Sequence, residues 1–324
     1  MTNDQRVISS KLPDYKITKL PNSMNGVLVI DKAAGLTSHD VVNRVRRILG
    51  QRSVGHLGTL DPAATGVLPL VTGNLTRLAQ FYTHAEKSYE GVIRFGFATE
   101  TYDAEGEPTT PRCDVTLDPA RLQDLAAQFR GTIQQLPPPF SAKKVAGVPA
   151  YKLARQKREV VLQPVTVEVQ EFEIVGVEGN CARFRARVSS GTYMRSIAHD
   201  LGQKLGCGAH LASLRRSGSA EFTLQHAHTL EELAQAGEQG RAEELFFHPR
   251  MLLPEFPSVT VNDESAALIR SGRGVNLPEF SRSRQIKVFY GERELLAIAT
   301  RVAGTLFHAG IVFAGGQGEK RPVG

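Results

Sequence analysis

The stretch GHLGTLDPAATGVL, Gly55–Leu68, places a single carboxylate, Asp61, among glycines, alanines and leucines. Charged residues are much more frequent in the chain as a whole, where they make up 22%. Pro62 follows Asp61, and proline disfavours helix at the residue before it, so the local interpretation is a turn in irregular backbone. This stretch therefore separates two ordered segments, and it leaves open why one acid stands there alone.

Regular patterns flank this stretch on both sides. Upstream, the apolar run GVLVIDK, Gly26–Lys32, predicts a strand, and Thr37-Ser38 are good N-cap residues for a helix that ends at Gly50. Downstream, VLPLVTG predicts a buried segment, and SYEGVIRFGF, Ser88–Phe97, predicts a strand. The helix presents an apolar stripe made of Val41, Val42, Val45, Ile48 and Leu49.

Helices and strands continue to mix further along the chain. Residues 117–131 predict an amphipathic helix, and residues 165–177 and 181–189 alternate as strands do. Residues 196–206 predict a helix that Gly206 ends. The mixture predicts an α+β fold.

Composition divides the chain into domains and tails. Residues 1–23 and 315–324 are polar, which predicts two flexible tails around a main domain at 24–249. The proline-marked segment HPRMLLPEFPS precedes several short apolar runs, so residues 250–314 predict a small β-rich domain. Within the main domain, residues 134–158 combine three consecutive prolines with basic and aromatic residues, which is typical of a projecting functional loop.

Composition also excludes several classes of protein. A chain of 324 residues with 41% hydrophobic residues suits a globular protein with a sizeable core. Three cysteines, far apart in the sequence, favour a reducing cytoplasm over a disulfide framework or a CxxC metal site. No signal-peptide core or membrane-length apolar run occurs, so we expect no membrane association.

Motifs for the commonest enzyme chemistries are absent. The chain lacks GxxxxGK[ST], GxGxxG, HExxH and GxSxG, the usual signatures of nucleotide hydrolysis, hydride transfer, zinc proteolysis and serine esterases. The histidines of His226–His228 are expected in an exposed loop, and His199-Asp200 on the surface of a helix, since neither pair has clustered ligand partners.

Basic residues are clustered, although the net charge is only +6. Any one cluster is most simply a solvated face, but several together favour a polyanionic partner. The clusters are Lys143, Lys144, Lys152, Arg155, Lys157 and Arg158 in the loop; Arg183, Arg185 and Arg187 in a predicted strand; and the neighbours Arg215 and Arg216.

An ordered series of motifs resembles the TruB family of tRNA pseudouridine synthases. It consists of NGVLVIDK with Gly35 and Ser38, then GHLGTLDPAATGVLPL, then Lys87-Ser88-Tyr89, and then SSGTYMRSIAHDLGQKLGCGAHLASLRRSGSAEF. The resemblance spans about Met24 to Thr223, and the C-terminal part is similar in character to the small PUA-like RNA-binding domain of that family.

The resemblance implies a fold and a reaction. The expected catalytic domain has a mixed, mainly antiparallel sheet flanked by helices and loops, with a PUA-like domain after it. The implied reaction converts the uridine at position 55, in the T-arm of tRNA, into pseudouridine on a flipped-out base. It needs no metal and no organic cofactor. We expect tRNA as the partner, no obligatory protein partner, and a monomer.

The resemblance also assigns roles to residues. Asp61 is the nucleophile or ion-pair partner, able to attack C1′ or C6 of the nucleotide or to stabilise an oxocarbenium-like species. Arg195 supplies the cation that pairs with this carboxylate, and its planar guanidinium suits a bidentate pair. Tyr89 supplies the active-site ring and hydroxyl. The remaining assignments are His56, Tyr193 and Leu214 around the uracil, Lys32 and Asp103 as substrate contacts or braces, and Lys143, Lys144, Tyr151 and Arg155 as the RNA clamp.

Three residues depart from the family pattern. Phe140 stands where tyrosine is more frequent, Ala33 where proline is usual, and Leu57 where threonine or glycine is frequent. These departures concern loop contacts rather than the reaction.

Other interpretations stay open. The chain could be a catalytically silent RNA-binding protein of the same fold that assists tRNA folding, or a synthase that acts on another RNA with a guide RNA. It could also be a plain nucleic-acid-binding scaffold in which Asp61 is only a turn residue.

Overall fold

The computed structural model describes residues 24–141, 143–145, 148–150, 153, 156, 162–280 and 282–313. Its strands are β1 (Gly26–Lys32), β2 (Val54–His56), β3 (Thr65–Thr72), β4 (Lys87–Phe95), β5 (Gly131–Gln135), β6 (Lys144–Val145), β7 (Val148–Pro149), β8 (Val165–Glu178), β9 (Cys181–Val188), β10 (Ala209–Ser219), β11 (Phe222–Thr223), β12 (Ala227–His228), β13 (Phe246–Phe247), β14 (Ser258–Val261), β15 (Val275–Asn276), β16 (Gln285–Tyr290), β17 (Glu294–Ala303) and β18 (Leu306–Val312). Its helices are α1 (Ser38–Ile48), α2 (Pro119–Ala127), α3 (Met194–Leu205), α4 (Leu230–Glu238) and α5 (Asp263–Arg270). The α+β prediction is confirmed.

One large sheet organises the main domain. Its order is β12-β1-β3-β10-β4-β9-β8-β5, with β2 on β3, β11 on β10 and β13 on β1. Only the pairs β1–β12 and β3–β10 are parallel, so within the described residues the sheet is mixed and mainly antiparallel, as predicted.

Local sequence explains why α1 forms where it does. Thr37 caps the helix, and Asp40 completes a capping box in which both side chains satisfy backbone N–H groups. The predicted apolar stripe is buried. It packs into the core on one face of the sheet, beside α4. Gly50 follows the helix with a φ of 62°, in the left-handed region that glycine adopts without strain.

A second, smaller sheet lies in the C-terminal part. Its order is β14-β16-β17-β18-β15, and α5 packs against it. Apolar side chains from both sheets form a joint core, including Val67 and Val71 from β3 and Phe289 and Ile298 from the smaller sheet. The two sheets therefore pack against each other rather than being joined by a chain segment alone.

Several elements differ from the sequence predictions. The stretch 55–68 is irregular only at 57–64, because β2 and β3 take its two ends. Helix α5 was not predicted, although Asn262 caps it and acids fill its first turn. The predicted exposed loop at 226–228 is wrong, since β12 pairs in parallel with β1 there and its side chains are half-buried.

None of the helices in these described segments is long and apolar enough to cross a membrane.

Candidate active site

The irregular segment 57–64 brings Asp61 to the wall of a cleft of about 460 Å³. Six of the predicted site residues, each from a different element or loop, line this cleft. They are His56, Asp61, Tyr89, Tyr193, Arg195 and Leu214. Residues more than 150 positions apart in the sequence therefore meet at one place, and the carboxylate is the acid among the cleft-lining residues.

Arg195 forms the ion pair with Asp61. Its Nε lies 3.0 Å from Asp61 Oδ2, and its side chain is only 7% exposed while that of Asp61 is 43% exposed. The predicted bidentate fork is wrong in geometry: Nε faces Asp61 without hydrogen-bond alignment, and the terminal nitrogens are used elsewhere. Nη1 donates to the Thr101 carbonyl at 3.2 Å and Nη2 to the Phe140 carbonyl at 3.1 Å.

Asp103 stands behind Arg195, away from the cleft. Its Oδ2 lies 3.3 Å from Arg195 Nη1, and its own orientation is held by donors from Thr101 Oγ1 at 2.5 Å and the Glu105 N–H at 3.1 Å. The side chain is 13% exposed and is not part of the cleft wall. Of its two predicted roles, the geometry fits a brace for the guanidinium.

A buried lysine holds the loop that carries Asp61. Lys32 is fully buried, and its Nζ donates to the carbonyls of Ala33 at 2.9 Å, Leu36 at 2.8 Å and Pro62 at 3.0 Å. Burial lowers the pKa of Lys32 to about 8, an effect that the nearby Asp61 charge opposes. All three N–H donors of the ammonium are used on backbone, so this geometry also fits a brace. Ala33 takes part through its backbone carbonyl alone. A proline, usual at this position in the family, would offer the same carbonyl to Lys32.

A buried arginine holds the other side of the same loop. Arg216 is fully buried, and its guanidinium donates to the carbonyls of Gly58 at 3.1 Å, Thr59 at 3.3 Å and Val67 at 2.7 Å. The expectation that Arg216 belongs to a surface stripe for a polyanion is therefore wrong. The alternation in β10 was the available signal, because Arg216 lies two residues after the cleft-lining Leu214 and so shares its face.

Tyr89 lies across the sheet from Arg216, in the paired register of β4 and β10. It is buried, and desolvation raises the pKa of its hydroxyl, although the adjacent Arg216 charge opposes the shift. The hydroxyl is therefore protonated at neutral pH.

His56 and Tyr193 flank the carboxylate. His56 Nδ1 accepts the Gly58 N–H at 3.3 Å, and burial together with the Arg216 charge lowers the pKa of the imidazole, so the ring is neutral. Tyr193 is held through its backbone, since buried Gln135 both accepts from its N–H at 2.8 Å and donates to its carbonyl at 3.0 Å. Burial raises the pKa of the Tyr193 hydroxyl.

Lys87 is a cleft residue to which sequence reasoning gave no role. It lines the cleft, and its Nζ donates to the Ala85 carbonyl at 2.9 Å. Burial and the Arg216 charge lower the pKa of Lys87 to about 8. The signal was present in the motif Lys87-Ser88-Tyr89, where the lysine shares a strand face with Tyr89.

Three arginines of the remaining basic clusters, on β9 and β10, are paired with acids. On the exposed face of β9, Arg185 pairs with Glu90 at 3.7 Å and Arg187 with Glu171 at 2.6 Å, while Arg215 holds Asp31 through two nitrogens at 3.0 and 2.6 Å. These arginines already have acidic partners, which fits a solvated face better than a phosphate track.

The clamp loop is described only in part. Lys143 is exposed and Lys144 begins the hairpin β6–β7, whereas Tyr151 and Arg155 lie outside the described residues. The root of the loop contacts α3, because Ser196 Oγ donates to the Leu136 carbonyl at 2.7 Å and Arg195 donates to the Phe140 carbonyl. Phe140, which stands where the family more often has tyrosine, makes this contact through its backbone carbonyl, so the contact does not depend on the side chain. In the described part of the chain, no group of three or more His, Cys, Asp or Glu residues is arranged to hold a metal ion.

Comparisons with known proteins identify relatives of this chain. The model of the TruB family pseudouridylate synthase N-terminal domain matches residues 46–194, and that of the tRNA pseudouridylate synthase B C-terminal domain matches residues 195–254. The chain is 51% identical to the tRNA pseudouridine synthase B of Solibacter usitatus over 292 residues, covering 89% of this chain and 100% of the relative. It is 40% identical to that of Geotalea uraniireducens, covering 85% and 91%.

Solved structures are similar as well. A chain in the structure of an H/ACA RNP bound to a substrate RNA containing 2'-deoxyuridine aligns with a TM-score of 0.66 at 25% identity, over 90% of this chain and 85% of that one. A chain of a Cbf5-Nop10-Gar1 complex aligns with a TM-score of 0.66 at 24% identity, over 93% and 92%, and shows the likeness of fold alone.

Proposed function

This chain belongs to the TruB family of pseudouridylate synthases, and from that premise we propose that it isomerises the uridine at position 55 in the T-arm of tRNA to pseudouridine, with Asp61 as the nucleophile. The enzyme is an isomerase that acts on tRNA. The observation that carries the assignment of Asp61 is its place: a half-exposed carboxylate in the cleft, ion-paired to a buried arginine.

The reaction needs one group that can attack and leave again. The N1–C1′ bond breaks, the uracil rotates, and the C5–C1′ bond forms, while C5 loses a proton and N1 gains one. An ionised carboxylate suits this role because it is nucleophilic and still a good leaving group. Arg195 orients Asp61 through the ion pair on its buried side, leaving the exposed side for the base.

Other cleft residues would hold the base and move protons. Tyr89 offers a ring for stacking, and a protonated hydroxyl for proton relay at C5. Tyr193, Leu214 and the neutral His56 bound the space that the uracil occupies. Lys32 and Arg216 act on the Asp61 loop through its carbonyls, so we assign them positioning roles.

Binding of folded RNA has to offset the cost of flipping a base out of its stack, on the order of a few kcal/mol. The loop 134–158 is the proposed clamp, with Lys143, Lys144 and Arg155 for phosphates and Tyr151 for stacking. The C-terminal unit at 250–314 is the proposed PUA-like RNA-binding domain. We further propose that the enzyme acts alone, as a monomer in the cytoplasm, where its substrate is.

The test is tritium release from C5-labelled uridine in an unmodified tRNA transcript. The wild-type protein should release one tritium per tRNA, and a transcript with cytidine at position 55 should release none. Release from that second transcript would contradict the assigned position, and no release from either would leave the silent tRNA-binding protein as the function.

The nucleophile is tested with Asp61→Asn, which should abolish turnover and leave tRNA affinity within about twofold, because an amide is not a nucleophile. The matched control is Asp31→Asn, which makes the same chemical change in a carboxylate that is paired to arginine outside the cleft. Activity of Asp61→Asn close to that of Asp31→Asn would rule out the nucleophile role.

A further inference from the structure

Tyr102 has an unusual backbone conformation next to the site. Its φ is 64°, in the left-handed region, and among the described non-glycine residues only Ala220 and Leu253 also have positive φ. A bulky aromatic residue in this region is strained, and the surrounding structure has to hold it there. Such strain points to a requirement at this position.

The turn at Tyr102 places two acceptors on one guanidinium nitrogen. Thr101, before it, offers its carbonyl to Arg195 Nη1 at 3.2 Å, and Asp103, after it, lies 3.3 Å from the same atom. The Tyr102 carbonyl accepts the Leu211 N–H at 3.0 Å, which fixes the turn to β10. Rotation of the backbone at Tyr102 would therefore separate the two groups that face Arg195.

An aromatic stack holds the turn in place. The Tyr102 ring lies on the His199 ring, with centroids 3.8 Å apart and planes 14° apart. His199, expected on the surface of the helix, is half-buried on α3 because the Tyr102 ring covers one of its faces. It follows Arg195 by four residues, one helical turn, and therefore lies on the same side of the helix. The turn thus contacts α3 twice, through Arg195 and through the stack.

The His199 ring stacks on Tyr102 and, in the described part of the chain, makes no hydrogen bond through Nδ1. Its Nδ1 is buried and has no hydrogen-bond partner among the described residues, and burial lowers the pKa of the imidazole, which keeps the ring uncharged at neutral pH. Among the described residues, the stack on Tyr102 is the aromatic contact that the His199 ring makes.

We propose that Tyr102 and His199 are positioning residues for the isomerisation: their stacked rings hold the left-handed turn that delivers the Thr101 carbonyl and the Asp103 carboxylate to Arg195, and Arg195 in turn orients Asp61. The inference rests on the proposed function and extends it to two residues that do not line the cleft. Its test therefore uses a transcript on which the wild-type enzyme has first been shown to turn over; an inactive wild type would contradict the proposed function and not the stack.

The experiment measures single-turnover rate, tRNA affinity and melting temperature for substitutions at both rings. Tyr102→Ala and His199→Ala should each slow the chemical step by about tenfold or more while tRNA affinity changes by less than about twofold. Tyr102→Phe and His199→Phe keep a stacked ring and should stay within about twofold of the wild-type rate. The double alanine variant should be no slower than the slower single variant, since both substitutions remove one interaction.

A glycine variant separates positioning from general destabilisation. Glycine adopts positive φ without strain, so Tyr102→Gly should lose less rate than Tyr102→Ala, although glycine ordinarily lowers stability more than alanine. Phe81→Ala is the control for loss of an aromatic contact away from Arg195, at the edge-to-face pair with Phe256. Additive losses in the double variant, phenylalanine variants as slow as the alanine variants, or a rate that follows melting temperature across the whole set would overturn the proposal.

Discussion

At the scale of single residues, the site places one carboxylate among three buried cations with different tasks. Lys32 donates to the Pro62 carbonyl and Arg216 to the carbonyls of Gly58 and Thr59, all in the Asp61 loop, while Arg195 faces the carboxylate itself. Lys32 and Arg216 therefore hold the loop without occupying the Asp61 carboxylate, which stays accessible from the cleft. This division explains how an acid that is 43% exposed keeps one orientation in an irregular loop.

Lys87 gives a prediction about pH. Its pKa falls from 10.5 to about 8 in the folded protein because of burial, so between these two pH values the unfolded chain binds more protons than the folded one. Stability contributed by this group therefore rises with pH from about 8 to about 10.5, and at pH 7 its buried charge is a cost. The measurement is urea denaturation of the wild type and Lys87→Met at pH 7 and pH 10. The wild type should gain stability relative to the variant at pH 10, and an unchanged or reversed difference would contradict the burial of the charge.

At the scale of elements, the parallel pair of β3 and β10 sets the floor of the site. The register places Gly66 beside Arg216, where a Cβ on Gly66 would lie 2.2 Å from the Arg216 carbonyl oxygen. No side chain fits in this space, so glycine allows the strands to approach closely enough for Arg216 to reach the Asp61 loop.

Gly66→Ala should therefore destabilise the protein by about 3 kcal/mol or more, because both its φ of 101° and the adjacent backbone oppose a side chain. Gly179→Ala is the matched control. Its φ of 56° is also in the left-handed region, but a Cβ there has open space, and about 1 kcal/mol is expected. Urea midpoints compare the two variants; equal losses would show that φ alone, and not the strand approach, requires glycine at 66.

Local signals predicted some elements well and others poorly. Helix α1 and strands β8 and β9 were predicted because their caps and alternation lie within the segment itself. Helix α2 is shorter than predicted, at Pro119–Ala127, since the chain after it enters β5 and pairs with β8. Strand β2 has only three residues, too few for a recognisable alternation of apolar and polar side chains. It is a strand because it pairs with β3.

At the scale of the whole molecule, the two sheets share a core and a polar joint. Tyr82 Oη donates to Glu221 at 2.5 Å, and the same carboxylate accepts the Leu253 N–H at 2.9 Å. Because Tyr82 also lines the cleft, the joint and the candidate site share a residue. Leu253, at the start of the C-terminal unit, is thereby linked through Glu221 to a residue of the cleft wall.

The two kinds of basic surface predict different responses to salt. Replacing Lys143, Lys144 and Arg155 by glutamine should weaken tRNA binding. It should also flatten the plot of log affinity against log salt by up to about 2.7 units, since each phosphate contact contributes about 0.7 to 0.9. Replacing Arg183, Arg185 and Arg187 removes the same charge from the face of β9 and should change the slope little, because acids pair with two of these arginines there. Affinity for tRNA measured from low to high salt distinguishes the two triple variants. Equal slopes would contradict the proposal that the loop 134–158 clamps the RNA.

The sequence by itself determined the turn at Asp61-Pro62, the capped helix, the strand alternation and the family resemblance, since each of these depends on residues close together in the chain or on an ordered set of motifs. Tertiary structure alone decided which charges are buried, what Lys32 and Arg216 hold, and that Tyr102 meets His199. Those outcomes depend on strand register and on contacts between distant segments, and a charge pattern looks the same whether the side chain points to solvent or to a carbonyl. Asp61 could be singled out from its motif, but what orients it comes from parts of the chain that only folding brings together.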